Sequence, residues 1–207
     1  METSGLSAAQ PLLILVVGIP SSGKTFFARQ FSDTYKFFYI DNGRNEVELE
    51  ALSNSFDDIS IVANKITNNT LEQALKCYKH VMLEGSYYSL KERREIISKA
   101  KKAGFGTLIV WVQTDEATAE HRALNRDRRR ADDKYSLQIN KEQFDNLNKS
   151  FQKLDPKNES FVVVSGKHDF KSQSVILLKK IASMYVNNLN ISGNSQTSPP
   201  TTKTILR

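Results

Sequence analysis

The sequence predicts an α/β fold of three layers, with a five-stranded parallel sheet between two layers of helices. Three observations carry this. Short apolar runs alternate with helix-period segments five times along the 207-residue chain. The first run, Leu12-Leu-Ile-Leu-Val-Val17, contains no polar residue, as suits a strand buried on both faces. Repeated strand–helix alternation also requires right-handed crossovers, which set helices on both faces of the sheet.

The elements follow in order. Residues 1–11 are small and polar and read as a flexible N-terminus. The strand 12–17 ends at Gly18. Phe26, Phe27, Ala28 and Phe31 then recur at helical spacing and give a helix over 25–35. Residues 36–40 form a second short strand. Val47, Leu49 and Leu52 suggest a helix over 44–53. Residues 57–69 fit a strand or a helix, because Ile59, Ile61 and Val62 suit either. Thr70 is an N-cap candidate ahead of Leu71, Ala74, Leu75 and Tyr78.

Residues 80–84 are the third strand. The helix 89–103 is stopped by Gly104. The fourth strand is 107–112, with Trp111 packing in the core. A helix over 115–126 has Asp115 and Glu116 at its positive end. Residues 127–135 are densely charged, 140–154 form another helix, 160–164 the fifth strand and 173–189 the last helix. One domain over 12–187 results. Residues 188–207, rich in Ser, Thr, Asn and Pro, read as a disordered tail.

A 39% hydrophobic and 25% charged composition excludes a collagen-like or wholly disordered chain. Cys77 is the only cysteine, so no intramolecular disulfide can form and a reducing compartment is expected. No apolar run approaches the roughly 20 residues of a membrane span. Residues 1–10 hold no Lys or Arg, so no signal peptide and a cytoplasmic location are expected. His80, His121 and His168 lie far apart with no cysteine pair, which argues against zinc.

The net charge of +6 is uneven: residues 1–90 carry 7 basic and 10 acidic side chains, and residues 91–207 carry 22 and 13. A basic half suits an anionic partner, either nucleic acid or a phosphorylated small molecule, and equally suits a solvated surface. Much of it lies in two windows, 91–102 and 122–134. In the first, Arg93, Arg94, Lys101 and Lys102 are the feature that argues for a polyanionic acceptor.

Gly18-Ile-Pro-Ser-Ser-Gly-Lys-Thr25 fits G-x-x-x-x-G-K-[ST], with an apolar strand before it and a helix after it. The glycines permit backbone angles and close approach that a side chain would block. Successive N–H groups then form an anion nest, reinforced by the helix N-terminus. The candidate nucleotide-binding residues are Gly18, Ser21, Ser22, Gly23, Lys24, Thr25 and Phe26. Lys24 suits the β- and γ-phosphates of ATP, and the Thr25 hydroxyl suits Mg2+.

Other residues sort the chemistry. Asn64-Lys65-Ile66-Thr67 lacks the Asp of a guanine-reading N-K-x-D motif. The run Val81-Met-Leu-Glu84 is followed by Gly85 rather than by the second acid usual in a motor. Arg122, Arg126, Arg128, Arg129 and Arg130 supply planar cations for a transferring phosphoryl group. Arg122 and Arg126, four apart, share one helical face and join the nucleotide-binding set. Arg128 to Arg130 suit a solvated run as well. Glu84, ending a buried strand, can hold the water shell of magnesium or orient an acceptor, and equally suits the N-terminus of the next helix. Tyr87 and Tyr88 can stack on an acceptor ring or pack at the core rim.

These motifs resemble the P-loop kinases related to phage polynucleotide kinase and the zeta-toxin kinases, small AAA-type ATP-binding enzymes. The resemblance covers most of residues 12–180. It rests on Gly18 to Thr25, on Phe38-Tyr-Ile-Asp-Asn-Gly-Arg44 as a second strand with a D-x-x-R element, on His80-Val-Met-Leu-Glu-Gly-Ser-Tyr87 with Glu92-Arg-Arg94, and on Arg122-Ala-Leu-Asn-Arg126 as the entry to a lid over about 122–140.

It implies a P-loop NTPase fold with an Arg-rich lid. It also implies that Asp41 accepts the proton of a hydroxyl acceptor and that Arg44 pairs with Asp41 or with the acceptor. The expected function is ATP- and Mg2+-dependent transfer of the γ-phosphate to a hydroxyl, on a nucleic-acid 5′ end or a small molecule. Lys24, Asp41 and Arg126 are the expected catalytic set; Asp41, Arg44, Glu84 and Tyr87 meet the acceptor; Thr25 and Glu84 meet the metal. A kinase of nucleotide sugars is a second enzyme reading. A nucleotide-dependent binding module or ATPase switch is the alternative without an acceptor.

Overall fold

In the computed structural model β1 (Leu12–Val17) is the central strand of a five-stranded sheet, and all six of its residues are buried. The structure describes residues 10–52, 56–77, 80–127 and 138–193. The chain continues through α1 (Lys24–Tyr35), β2 (Phe38–Asp41), α2 (Asn42–Glu50), α3 (Phe56–Lys76) and β3 (Val81–Glu84). Then come α4 (Leu90–Lys102), β4 (Gly106–Gln113), α5 (Glu116–Leu124), α6 (Lys141–Ser150), β5 (Phe161–Ser165) and α7 (Phe170–Gly193). The sheet order is β2-β3-β1-β4-β5, and every pairing is parallel.

Alternation along β1 builds two cores. Leu13, Leu15 and Val17 pack with Leu71, Leu75, Ile96 and Ala100 from α3 and α4. Leu12, Ile14 and Val16 pack with Phe27, Ala28 and Phe31 of α1 and Leu177 of α7. Full burial of a large aliphatic side chain is worth about 2 kcal/mol, so β1 alone is a major share of the drive to fold. The expected three-layer architecture with a five-stranded parallel sheet is therefore present.

Several expectations need correction. Residues 57–69 are helical throughout, inside α3, and Thr70 is no N-cap: it sits mid-helix and donates to the Ile66 carbonyl. The second strand is shifted to Phe38–Asp41, and α2 begins at Asn42 with Asp41 as its cap. Helix α5 stops at Leu124, so Arg126 lies beyond it. Trp111 is only half buried, at the rim of the first core beside Phe151 and Phe161. Arg128 to Arg130, most of the expected lid and the end of the tail lie outside the described residues. Among the described residues no helix is long and apolar enough to cross a membrane.

Helix α1, after β1, covers one face of the sheet, and α4, after β3, covers the other. The connections that leave the carboxyl ends of the paired strands β1 and β3 therefore run to opposite faces and open a crevice, where open α/β sheets bind ligands.

Candidate phosphate-transfer site

The loop from Gly18 to Gly23 turns the chain from β1 into α1. Ser21 and Gly23 take left-handed backbone angles, with φ of 57° and 101°. A glycine is needed at the second because it is also the helix N-cap, where its conformation orients the first turn. No side chain caps α1, so its leading N–H groups stay available to an anion. The Lys24 ammonium folds back over the loop and donates to the carbonyls of Gly18 (3.0 Å) and Ile19 (2.9 Å). Burial pushes Lys24 down to about 8, with Glu84 opposing the shift and Arg126 adding to it.

Ser22 is fully buried and its hydroxyl has no partner among the described residues, so it contributes backbone rather than side chain to the cradle. Two residues that the sequence reading missed brace that backbone. The Thr114 hydroxyl donates to the Ser22 carbonyl (2.9 Å), and Gly166 packs so close that a Cβ there would overlap the same oxygen. Thr114 follows β4 and Gly166 follows β5, and their position at strand carboxyl ends was the available signal.

The acidic wall comes from the ends of β2 and β3, where Asp41 and Glu84 are register partners. Glu84 is buried. Its carboxylate accepts from the Thr25 hydroxyl (Oε1, 3.0 Å) and from the Tyr39 hydroxyl (Oε2, 2.8 Å). Burial pushes Glu84 up to about 7, and the charge of Asp41 adds to this. Burial also raises Asp41, against the Arg44 N–H that its Oδ1 accepts (3.0 Å). Tyr39 was missed as a site residue. Period-two alternation already put it on the Asp41 face of the strand.

The two expected clamp arginines separate. Arg122 donates to the Gly166 carbonyl (3.1 Å), while Arg126, past the end of α5, donates to the Ser21 hydroxyl (2.8 Å). They do not share a helical face. The Arg44 guanidinium binds Glu48 (2.8 Å), while its backbone N–H donates to the Asp41 carboxylate and its charge favours the ionised form of Asp41. Tyr87 packs against the first core and lines an adjoining cleft; Tyr88 lines the phosphate pocket instead.

Arg93 is not part of a basic surface at all. It is fully buried, grips Glu159 through two hydrogen bonds (2.7 and 3.1 Å), and donates to the carbonyls of Tyr87 and Tyr88. It anchors the segment after β3. Arg94, Lys101 and Lys102 alone remain exposed from the group that argued for a polyanion.

These walls enclose one pocket of about 440 Å³. Pro20, Ser21 and Gly23 to Phe26 form its floor; Asp41, Glu46 and Glu84 one side; and Arg122 and Arg126 the other. Glu46, another residue missed from sequence, accepts from Asn42 (2.9 Å), and burial pushes it up to about 7. The Thr25 hydroxyl and Glu84 carboxylate are hard oxygen donors beside the anion nest, so they fit Mg2+. Among the described residues no three His, Cys, Asp or Glu side chains cluster as a metal cage. Phosphate oxygens and water would thus complete the shell.

The family described as an AAA domain matches residues 13–154, which include the phosphate loop, Asp41, Glu84 and both arginines. The chain belongs to the AAA-domain family. Its fold is similar to that of several solved structures, among them two kinases by name. Kti12 from Chaetomium thermophilum, in complex with ADP-AlF3, is 21% identical with a TM-score of 0.58, over 82% of this chain and 97% of that one. A gluconokinase from Sinorhizobium meliloti 1021 is 15% identical with a TM-score of 0.58, over 88% and 98%. Deoxyadenosine kinase from M. mycoides is 16% identical with a TM-score of 0.54, over 83% and 99%. No curated protein sequence matches this chain at a significant level.

Proposed function

We propose that the chain is an ATP- and Mg2+-dependent kinase that moves the γ-phosphoryl group to a hydroxyl acceptor. One observation carries the reading. The anion nest, two strand-end carboxylates and two arginines line a single pocket. A loop that only held nucleotide would not need a second carboxylate beside the first at the mouth of the phosphate site.

On this reading the helix N-terminus and Lys24 hold the β- and γ-phosphates, with Lys24 leaving its two loop carbonyls to do so. Thr25 and Glu84 would hold magnesium, which would supply positive charge to offset the negative charge of the phosphates. Asp41 orients the acceptor hydroxyl in line and takes its proton, as a carboxylate within hydrogen-bond reach can. Arg126, with Arg122 nearby, stabilises charge on the transferred group. The raised Asp41 carboxyl is a better base than an exposed one.

Residues 12–187 as one catalytic domain, 122–140 as its lid, and action in the cytoplasm belong to the same proposal. Kinship with polynucleotide and zeta-toxin kinases draws its support from Gly18 to Thr25 and from Asp41. Arg44, whose N–H and charge act on Asp41, belongs to the same element.

Acceptor-stimulated ADP release at saturating ATP tests the reading. Stimulation accompanied by a phosphorylated product supports it. ADP release that no acceptor changes would favour an ATPase switch.

A further inference from the structure

The phosphate pocket opens into a second cleft of about 860 Å³. Glu46, Ser86, Ile139 and Leu147 line both, so the two spaces share a wall. Their chemistry differs. The phosphate pocket holds Lys24, Arg122 and Arg126. The second cleft holds the carboxylates of Glu46, Glu92 and Glu95. Among the described residues its one cation is Lys99, and Glu72 already neutralises that ammonium at 2.8 Å.

Amides add hydrogen-bonding groups to a lining that also includes Ser60, Ser86, Tyr87, Ile96, Ile139 and Leu147. Asn64 and Asn68 lie one turn apart on α3, and Gln143 and Asn146 stand on α6. An amide both donates and accepts, which matches hydroxyl groups. A phosphate or carboxylate placed here would face the Glu92 and Glu95 carboxylates and Glu46, itself pushed up to about 7, with Lys99, paired with Glu72, the one cation among the described residues. A polyhydroxyl compound would be satisfied by the amides, and an ammonium on it by the acids.

We propose that this cleft seats the acceptor, and that the acceptor is a hydroxyl-rich small molecule bearing a protonated amine, of the amino-sugar class, rather than a nucleic acid or a sugar acid. The proposal rests on the phosphotransfer reading for the role of the cleft, but its selectivity follows from the lining itself. The exposed cations Arg94, Lys101 and Lys102 stand outside the lining and do not alter its sign.

The test is equilibrium binding to the full chain loaded with Mg2+ and a non-hydrolysable ATP analogue. The probes are glucosamine, glucose, gluconate and a 5′-hydroxyl trinucleotide, near pH 7. Glucosamine is expected to bind at least tenfold more tightly than glucose, with gluconate and the trinucleotide weaker than glucose. Glu95→Gln, at an exposed position, and Glu46→Gln should each reduce the glucosamine preference severalfold.

Gluconate or the trinucleotide binding as tightly as glucosamine would overturn the proposal. So would no glucosamine binding, or a preference untouched by both variants. Exchanging the analogue for ATP separates the two claims. Bound glucosamine that is never phosphorylated leaves the selectivity standing and removes the phosphotransfer reading instead.

Discussion

The Thr25 hydroxyl donates to the Glu84 carboxylate at 3.0 Å, joining the first turn of α1 to the end of β3 across 59 residues of sequence. This bond ties the end of the phosphate loop to the acidic wall. It also holds two hard oxygen donors where a phosphate-bound metal would sit. Glu84→Gln keeps the shape and removes the charge. Nucleotide binding without metal should survive, while Mg2+-supported turnover should fall at least 100-fold. Steady-state kinetics at saturating ATP and varied Mg2+ check this. Unchanged turnover would detach Glu84 from the reaction.

Lys24 gives a pH dependence with a definite sign. Burial brings the free ammonium down to about 8, and phosphates would raise it again on binding. Below pH 8 the lysine is already charged and affinity is level. Above pH 8 it must first take up a proton, so ATP affinity should fall by up to tenfold per unit. Calorimetry at pH 9 in buffers of different ionisation enthalpy should detect that uptake. Equal affinity at pH 7 and pH 9.5 would contradict the assignment.

The Arg93–Glu159 pair is almost wholly buried, with side-chain exposures of 1% and 3%. Removing one partner of such a pair costs about 3–5 kcal/mol, because the other charge stays buried and uncompensated. Glu159→Gln should therefore lower the denaturant midpoint strongly. Replacing both residues with apolar ones should restore part of the loss. Chemical denaturation of the single and double variants decides it.

Gly166 supports the loop without touching a ligand. In Gly166→Ala the new methyl displaces the Ser22 carbonyl, so ATP affinity should fall at least tenfold. Gly104, with φ of 86°, has open space around it. There Ala should cost only about 1–2 kcal/mol of backbone strain and leave affinity unchanged. Parallel measurements of nucleotide affinity and stability on the two variants separate the effects.

The sheet was legible because β1 is aliphatic without interruption and the phosphate loop follows it directly. Helix α3 was not. Ile61, Val62 and Ile66 are exposed while Ile59 and Ala63 are buried, so apolar residues lie on more than one face and blur the period. Arg93 looked like surface because nothing local announces a partner 66 residues away. Arg122 and Arg126 do not share a helical face because α5 ends at Leu124, yet both line the pocket. Thr114, Gly166 and Glu46 carry no motif; only the folded chain brings the first two against the Ser22 carbonyl and Glu46 into the pocket lining.

The most direct test of phosphoryl transfer follows the label from γ-labelled ATP into acceptor hydroxyls, with wild type and Lys24→Ala side by side. The account predicts a labelled acceptor with wild type and a loss of at least about 1,000-fold in the variant, since the lysine stabilises the transferring charge. A Lys24→Ala protein that transfers label at the wild-type rate would contradict it.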